Sequence, residues 1–311
     1  MALGVPGTRV GCWTDAEHHT GCTVILPPPA SQGAMAVRGG APGTREAAAL
    51  SHTGTVRECH AVVLSGGSAF GLATADGVTR WCVDKDIGYD RFVARIPIVG
   101  AAIIFDIRDR FAPRPDAEAG WAACEAADEA DPPQGSVGVG AGCTVGKTAG
   151  LEWGSKSGQG IAVVSGGGVT MGALMAVNAL GDVLDECGEV LSGSRAPASA
   201  PRYPLVPMPF REAPQEPEHT VIGCLVTNAR LSKPDAVRAA DLAHNGVARA
   251  VDPAHTSMDG DALFLLSAQQ VDASVDLVAH LGARAVAAAI RSAVRHAAPM
   301  PGFPTDPRAT R

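Results

Sequence analysis

Apolar positions along this chain gather in short runs punctuated by Gly and Pro, and four longer stretches read as helices. Within residues 1–45 the runs TRVGCW, GCTVILPPP and GAMAVRGGAPGTRE predict short strands joined by turns. CHAVVLSGGSAFGLATADGVTRWCVDKDIG (59–88) predicts an apolar strand, a Gly-Gly-Ser turn and an amphipathic helix. IPIVGAAIIFDI (96–107) predicts a buried strand, and the acidic, Ala-rich AEAGWAACEAADEAD (117–131) a solvent-facing helix. A Gly-dense stretch (135–168) leads into GVTMGALMAVNALGDVLD, a strand with a turn at 178–181.

Residues 193–218 break the pattern. They hold 7 of the 23 prolines in 26 positions and show neither period. Proline supplies no N–H donor and obstructs both helix and ladder, so this stretch is expected to be a linker or exposed loop. The pattern then restarts with HTVIGCLVTNA (219–229), a strand. Pro234 stands at the start of a helix, HTSMDGDALFLLS (255–267) is a turn feeding a strand, and 272–297 is a long Ala-rich helix. Alternating strands and helices predict a mixed α/β layer structure.

Composition narrows the function classes. The chain has 311 residues, 46% hydrophobic and 18% charged, enough for a sizeable core. That length permits two domains or one large layer structure. The 25 Lys and Arg face 32 Asp and Glu, a net charge of -7, and no basic run weighs for a nucleic-acid partner. With 37 Gly, 23 Pro and 4% aromatics, the core is expected to use small aliphatic side chains and close backbone approaches. No leader pattern or membrane-length apolar window is read, so the expectation is a soluble cytoplasmic protein without membrane partners. Cys12, Cys22, Cys59, Cys82, Cys124, Cys143, Cys187 and Cys224 lie at irregular intervals without a CxxC pair or His at ligand spacing, so they read as free buried thiols and no metal site is expected.

Four places carry candidate chemistry. The segment from Ala141 to Thr148 nearly meets the phosphate-loop pattern, with Lys147 at the lysine position, but the Gly-rich continuation cannot supply the required helix. Ser65-Gly66-Gly67-Ser68 lacks the spacing of a nucleophile elbow and reads as a turn with Ser68 capping the helix. Asp259-Gly260-Asp261, with His255 upstream, reads as a plain turn or as two carboxylates that orient another group. Thr220 opens an apolar strand directly after the Pro-rich stretch. A cut between His219 and Thr220 would give it a free α-amine of pKa roughly 7.7–8.0, able to act as base for its own hydroxyl.

Taken in order, RVGCWTD, GCTVILPPP, VRGGAPGTRE, VVLSGGSAFGLATADGVTRW, PIVGAAIIFD, VGAGCTVGK, LMAVNALGDV, HTVIGCLVTNA and HTSMDGD closely resemble the DmpA-type peptidases. These include L-aminopeptidase/D-esterases, β-peptidyl aminopeptidases and nylon-oligomer hydrolases. The resemblance implies one four-layer αββα sandwich over 1–311, similar to N-terminal-nucleophile hydrolases and ornithine acetyltransferase-like folds. It implies self-cleavage into a 1–219 α chain, ending in a Pro-rich exposed tail (193–219), and a 220–311 β chain. It also implies assembly into a tetramer of αβ units.

The same resemblance assigns Thr220 as nucleophile, Asn178 as oxyanion stabiliser and Lys156 as a lysine beside the nucleophile. Asp259 and Asp261 become carboxylates that orient or charge-balance its amine. His219 stands where Asn is frequent, Val221 where a second Thr is frequent, and Phe105 where some members carry a Tyr hydroxyl. The expected function is hydrolysis of short peptides, amino-acid amides or esters, or β/ω-amino-acid oligomers, without cofactor. Alternatives are endo-hydrolysis of 6-aminohexanoate oligomers, and an acyltransferase or unprocessed binding protein on the same scaffold.

Overall fold

A computed structural model describes residues 1–206 and 219–310. In chain order β1 (Arg9–Asp15), β2 (Thr20–Leu26), β3 (Gln32–Val37), β4 (Thr44–Arg45), β5 (Ala61–Ser65) and α1 (Thr74–Asp84) come first. They are followed by β6 (Val99–Ile103), α2 (Ala117–Glu125), β7 (Gln159–Gly166) and β8 (Val169–Asn178). The last third supplies β9 (Thr220–Arg230), α3 (Lys233–Ala243), β10 (Ala262–Asp272) and α4 (Val275–Arg295).

These elements form two five-stranded sheets, ordered β1-β2-β5-β6-β4 and β7-β8-β9-β10-β3. Each has one parallel pair, β5 with β6 and β9 with β10, and each pair is joined by a crossover containing a helix, as a parallel connection requires. Ile25, Val62, Leu64, Leu174, Ile222 and Phe264 fill the space between the sheets. Val78, Trp81, Ala119 and Ala123 from α1 and α2 cover the first sheet over Val24 and Val63. Ala239, Val278, Val286 and Ile290 from α3 and α4 cover the second over Leu225 and Leu265. The layers are therefore helix, sheet, sheet, helix, the αββα sandwich expected. The central strands are buried on both faces, which is why they read as unbroken apolar runs.

Some expectations are corrected. The acidic segment 117–131 is helical only over Ala117–Glu125, with Asp116 accepting from the Ala119 amide as its cap. Its Ala119, Gly120, Ala123 and Cys124 are buried rather than solvent-facing, because short Ala and Gly side chains let α2 lie close to the first sheet and α1. Cys187 is exposed and Cys12 partly so, while all eight thiols are free. Helix α4 is long and apolar enough to cross a membrane by composition, because its many alanines raise the mean hydropathy, yet it lies packed on the second sheet.

The first part of the Pro-rich stretch is fastened rather than loose. Ser155 Oγ donates to the Gly193 carbonyl at 2.6 Å, the Ser194 amide donates to Asp182 at 2.8 Å, and the Tyr203 amide donates to the Thr148 carbonyl at 3.0 Å. Residues 207–218, where the rest of the expected tail falls, lie outside the described residues.

Candidate active site

Strand β8 ends at Asn178 and β9 begins at Thr220, and these two residues are register partners in the antiparallel ladder. Side chains alternate between faces along a strand, so Thr220 shares the inter-sheet face of Ile222 and Cys224, and Asn178 that of Leu174 and Ala176. Thr220 is thus held, 5% exposed, at the end of the space between the sheets.

The peptide bond before Thr220 has two donors on its carbonyl. Thr220 Oγ1 lies 2.5 Å from the His219 oxygen, and the Gly260 amide donates to the same oxygen at 2.9 Å. A Cβ at position 260 would stand 2.9 Å from Thr220 Oγ1 and 3.0 Å from the Ala41 carbonyl oxygen, so only glycine places this amide there. The His219 ring is buried, and its Nδ1 has no partner among the described residues. Burial, with the Lys147 charge, holds its pKa well below the ordinary imidazole value, so it is neutral near pH 7.

Asp259-Gly260-Asp261 is more than a plain turn. Asp261 accepts from the Val221 amide at 2.6 Å through Oδ1 and meets His255 Nδ1 at 2.7 Å through Oδ2. Asp259 Oδ2 accepts from the Thr256 amide and hydroxyl, both at 2.7 Å. Burial, and then the neighbouring Asp261 charge, raise the Asp259 pKa above the usual carboxylate range. Behind the turn, the Arg38 and Gly39 amides donate to the Asp261 carbonyl and the Ala41 amide to the Asp259 carbonyl. A Cβ on Gly39 would fall 2.2 Å from the Asp259 carbonyl oxygen, which gives the RGG of the third sequence block its structural purpose.

Asn178 is fixed at both ends of its amide. Nδ2 donates to the Phe105 carbonyl at 2.9 Å, and Oδ1 accepts from the Thr144 amide at 3.0 Å and from Lys147 Nζ at 3.0 Å. Lys147 Nζ also donates to the Asn178 carbonyl at 3.0 Å. Phe105 therefore contributes to the site through its backbone carbonyl.

Lys156, expected as the lysine beside the nucleophile, makes its hydrogen bonds to backbone carbonyls rather than to Asn178. Its ammonium is turned to the carbonyls of Gly140, Cys143 and Ser157, and burial lowers its pKa to about 8. The lysine bonded to Asn178, the ladder partner of Thr220, is Lys147. That residue was legible only as part of a near-phosphate loop, because spacing along the chain does not show which way a lysine turns. No α-helix follows Lys147; residues 144–145 instead pair with 155–156 as a short ribbon, and Leu151–Trp153 is a single 3-10 turn.

Ser68, expected to cap a helix, does not do so with its side chain. The Gly67 amide donates instead to Asp106 Oδ1 at 2.7 Å, and Thr20 Oγ1 donates to Oδ2 at 2.8 Å. Asp106 is a buried carboxyl whose pKa burial raises to about 6, and it ties the Gly-Gly turn to the segment that carries Phe105.

Sequence reading placed His255 beside the Asp259-Gly260-Asp261 turn without a role, and missed the Gly260 amide, Thr144 and Lys147 as parts of this site. Backbone amides leave no residue-type signal, and the others lie far from Thr220 in sequence. Among the described residues, no group of three His, Cys, Asp or Glu side chains is placed to hold a metal ion.

Known proteins resemble this chain over most of its length. The sequence description of Peptidase family S58 matches residues 3–307. An uncharacterized aminopeptidase of Mycobacterium bovis is 38% identical, covering 92% of this chain and 88% of its own. A 6-aminohexanoate-oligomer endohydrolase of Agromyces sp. is 31% identical, covering 88% of this chain and 76% of its own. Among solved structures, the L-aminopeptidase D-Ala-esterase/amidase of Ochrobactrum anthropi superposes with a TM-score of 0.71 at 20% identity, covering 98% of this chain and 88% of that one. It is described as a variant of the Ntn hydrolase fold. A Burkholderia sp. beta-aminopeptidase gives a TM-score of 0.69 at 19% identity, covering 96% of this chain and 87% of that one. With the αββα layers and the residue blocks already described, the match over residues 3–307 shows that this chain belongs to Peptidase family S58.

Proposed function

We propose that this peptidase cleaves its own chain between His219 and Thr220, and that Thr220 is then the N-terminal nucleophile of an amide hydrolase. The observation that carries the reading is the convergence on one peptide bond: the Thr220 hydroxyl and the Gly260 amide both engage the His219 carbonyl, with Asn178 opposite in the ladder.

In processing, Thr220 Oγ attacks the His219 carbonyl carbon and the Gly260 N–H stabilises the oxyanion. The C–N bond breaks, and the hydroxyl proton ends on the Thr220 nitrogen. Water then hydrolyses the resulting ester, leaving a carboxylate on His219 and a free amine on Thr220. In turnover the same oxygen attacks the substrate carbonyl, and the α-amine takes the proton and passes it to the leaving amine. Asn178, with its amide held by Thr144, Lys147 and Phe105, is the side chain we assign to the substrate oxyanion. Water activated by the same amine releases the acyl group. Asp259 and Asp261 fix the turn and the first residues of the β chain, and Lys156 orders the backbone from 140 to 143.

The substrates proposed are short peptides, amino-acid amides and esters, or β/ω-amino-acid oligomers. Endo-hydrolysis of 6-aminohexanoate oligomers is the second reading, favoured by the relatives of that name at 31% identity. Parallel assays on such oligomers and on amino-acid p-nitroanilides separate the two. A tetramer of αβ units is the proposed assembly, readable by light scattering.

Intact mass of the purified protein tests the central claim. Two chains of 219 and 92 residues, the smaller beginning at Thr220, are expected from the 311 residues. A single intact chain with amidase activity would overturn the reading, and an intact chain without activity would favour a binding protein.

A further inference from the structure

Behind the Asp259-Gly260-Asp261 turn lies a histidine pair to which no role has been given. His255 Nδ1 is 2.7 Å from Asp261 Oδ2, and the His255 backbone amide donates to the same oxygen at 3.2 Å. Its other ring nitrogen, Nε2, faces the His244 carbonyl at 3.5 Å. The His244 ring stands edge-on at 4.9 Å, and its own Nε2 meets the Ala36 carbonyl at 3.2 Å.

Both nitrogens of His255 thus face acceptors. A neutral imidazole carries one N–H and satisfies one of them, whereas an imidazolium donates from both. The charged groups around the ring oppose one another: Asp261 favours the imidazolium and Arg38 disfavours it. Asp261 is in contact, and burial holds His244 neutral by pushing its pKa to about 4. Arg38, the nearby cation, is paired with Asp241 at 2.8 Å. Burial disfavours charge on His255, but the bonded Asp261 more than offsets it and raises the pKa above the ordinary imidazole value.

We infer that His255 is a positioning residue: its ring Nδ1 holds Asp261 Oδ2 so that Oδ1 stays aimed at the Val221 amide, and so fixes where Thr220 stands. The inference rests on the assignment of Thr220 as nucleophile and adds to it a device in the support of that residue. The backbone of His255 is left-handed, with φ of 57°, a conformation that Asn tolerates better than most residues. Asn also places a neutral N–H donor where His Nδ1 stands, so His255→Asn separates the hydrogen bond from the charge.

The experiment measures pH–rate profiles and processing by intact mass for the full chain as wild type, His255→Ala and His255→Asn. It also follows the imidazole resonances of wild type and Asp261→Asn by NMR titration. In His255→Ala turnover per processed site should fall by about 10-fold, as for loss of a hydrogen bond to a charged group. The acid limb should move in the same variant, because the titrating imidazole beside the Asp259-Gly260-Asp261 turn is gone. His255→Asn should restore the rate at its plateau but not the position of the limb. His255 should titrate above the ordinary value near 6.5 in wild type and fall back in Asp261→Asn.

An unchanged limb and rate in His255→Ala would overturn the inference. So would a His255 titration indifferent to Asp261→Asn, a readout that holds even if the Ala variant does not fold. A wild-type chain that remains intact would instead defeat the Thr220 assignment, while the NMR titration would still decide the pairing.

Discussion

Asn178 and Thr220 stand directly opposite one another as the last register pair of an antiparallel ladder, 42 positions apart in sequence by subtraction of their numbers. A strand end and a strand start meet there, so the ladder delivers a side-chain amide and a hydroxyl to one face without a loop. Asn178 is rigid because both atoms of its amide are bonded within the described residues.

Asn178→Ala should lower turnover roughly 100- to 1000-fold, the effect of deleting a main oxyanion donor. The variant also leaves Lys147 and the Thr144 amide without their side-chain acceptor. Steady-state kinetics on the processed fraction, normalised by intact mass, checks this.

The two buried lysines should separate. Lys147→Met removes the ammonium bonded to the Asn178 carbonyl and Oδ1, so it too costs stability, but it is expected to abolish most turnover of the fraction that folds. Lys156→Met removes the donor to the Gly140, Cys143 and Ser157 carbonyls, each an orphaned acceptor costing about 1–3 kcal/mol in a buried site. Its main effect should be a lowered unfolding midpoint in denaturant, with the folded fraction still active. Equal loss of activity without loss of stability in both variants would contradict this division.

Gly260→Ala should slow the appearance of the smaller chain. The added Cβ would sit 2.9 Å from Thr220 Oγ1, so either the hydroxyl or the amide that holds the His219 carbonyl must shift. A misplaced oxyanion donor costs up to about 100-fold in rate, the low end of what losing such a donor costs. Timed intact-mass spectra after expression read the fraction still uncut.

Protonation of Asp259 should inhibit at a higher pH than for an ordinary carboxylate. Its pKa is raised by burial and by Asp261, so the folded chain takes up this proton above the unfolded value. Stability contributed by this group therefore increases as pH falls through that window, while the negative charge facing the site disappears. Turnover should decline on acidification with no loss of fold, and Asp259→Asn should remove that part of the decline. Rates and circular dichroism across the same pH series give both readings.

Pattern alone determined much of this molecule. The apolar runs at β2, β5, β8, β9 and β10 are strands because a strand covered on both faces leaves no polar alternation, and the 3.6-residue period of α4 survives its many alanines. Thr220 was visible as the first residue of a strand after a proline-rich stretch, and the Asp259-Gly260-Asp261 turn as a pair of carboxylates.

Only the tertiary structure decided which groups meet. It turned Lys156 toward three carbonyls and Lys147 toward Asn178, although both lie in the same glycine-dense stretch. It made Gly260 a donor, Phe105 an acceptor through its backbone, and His255 the partner of Asp261. Local sequence specifies the period and the turn chemistry of each element. The direction of a long side chain, and the partner of a backbone amide, are set by what the opposite sheet and the neighbouring turn bring within 3 Å, and that information is distributed over residues far apart in the chain.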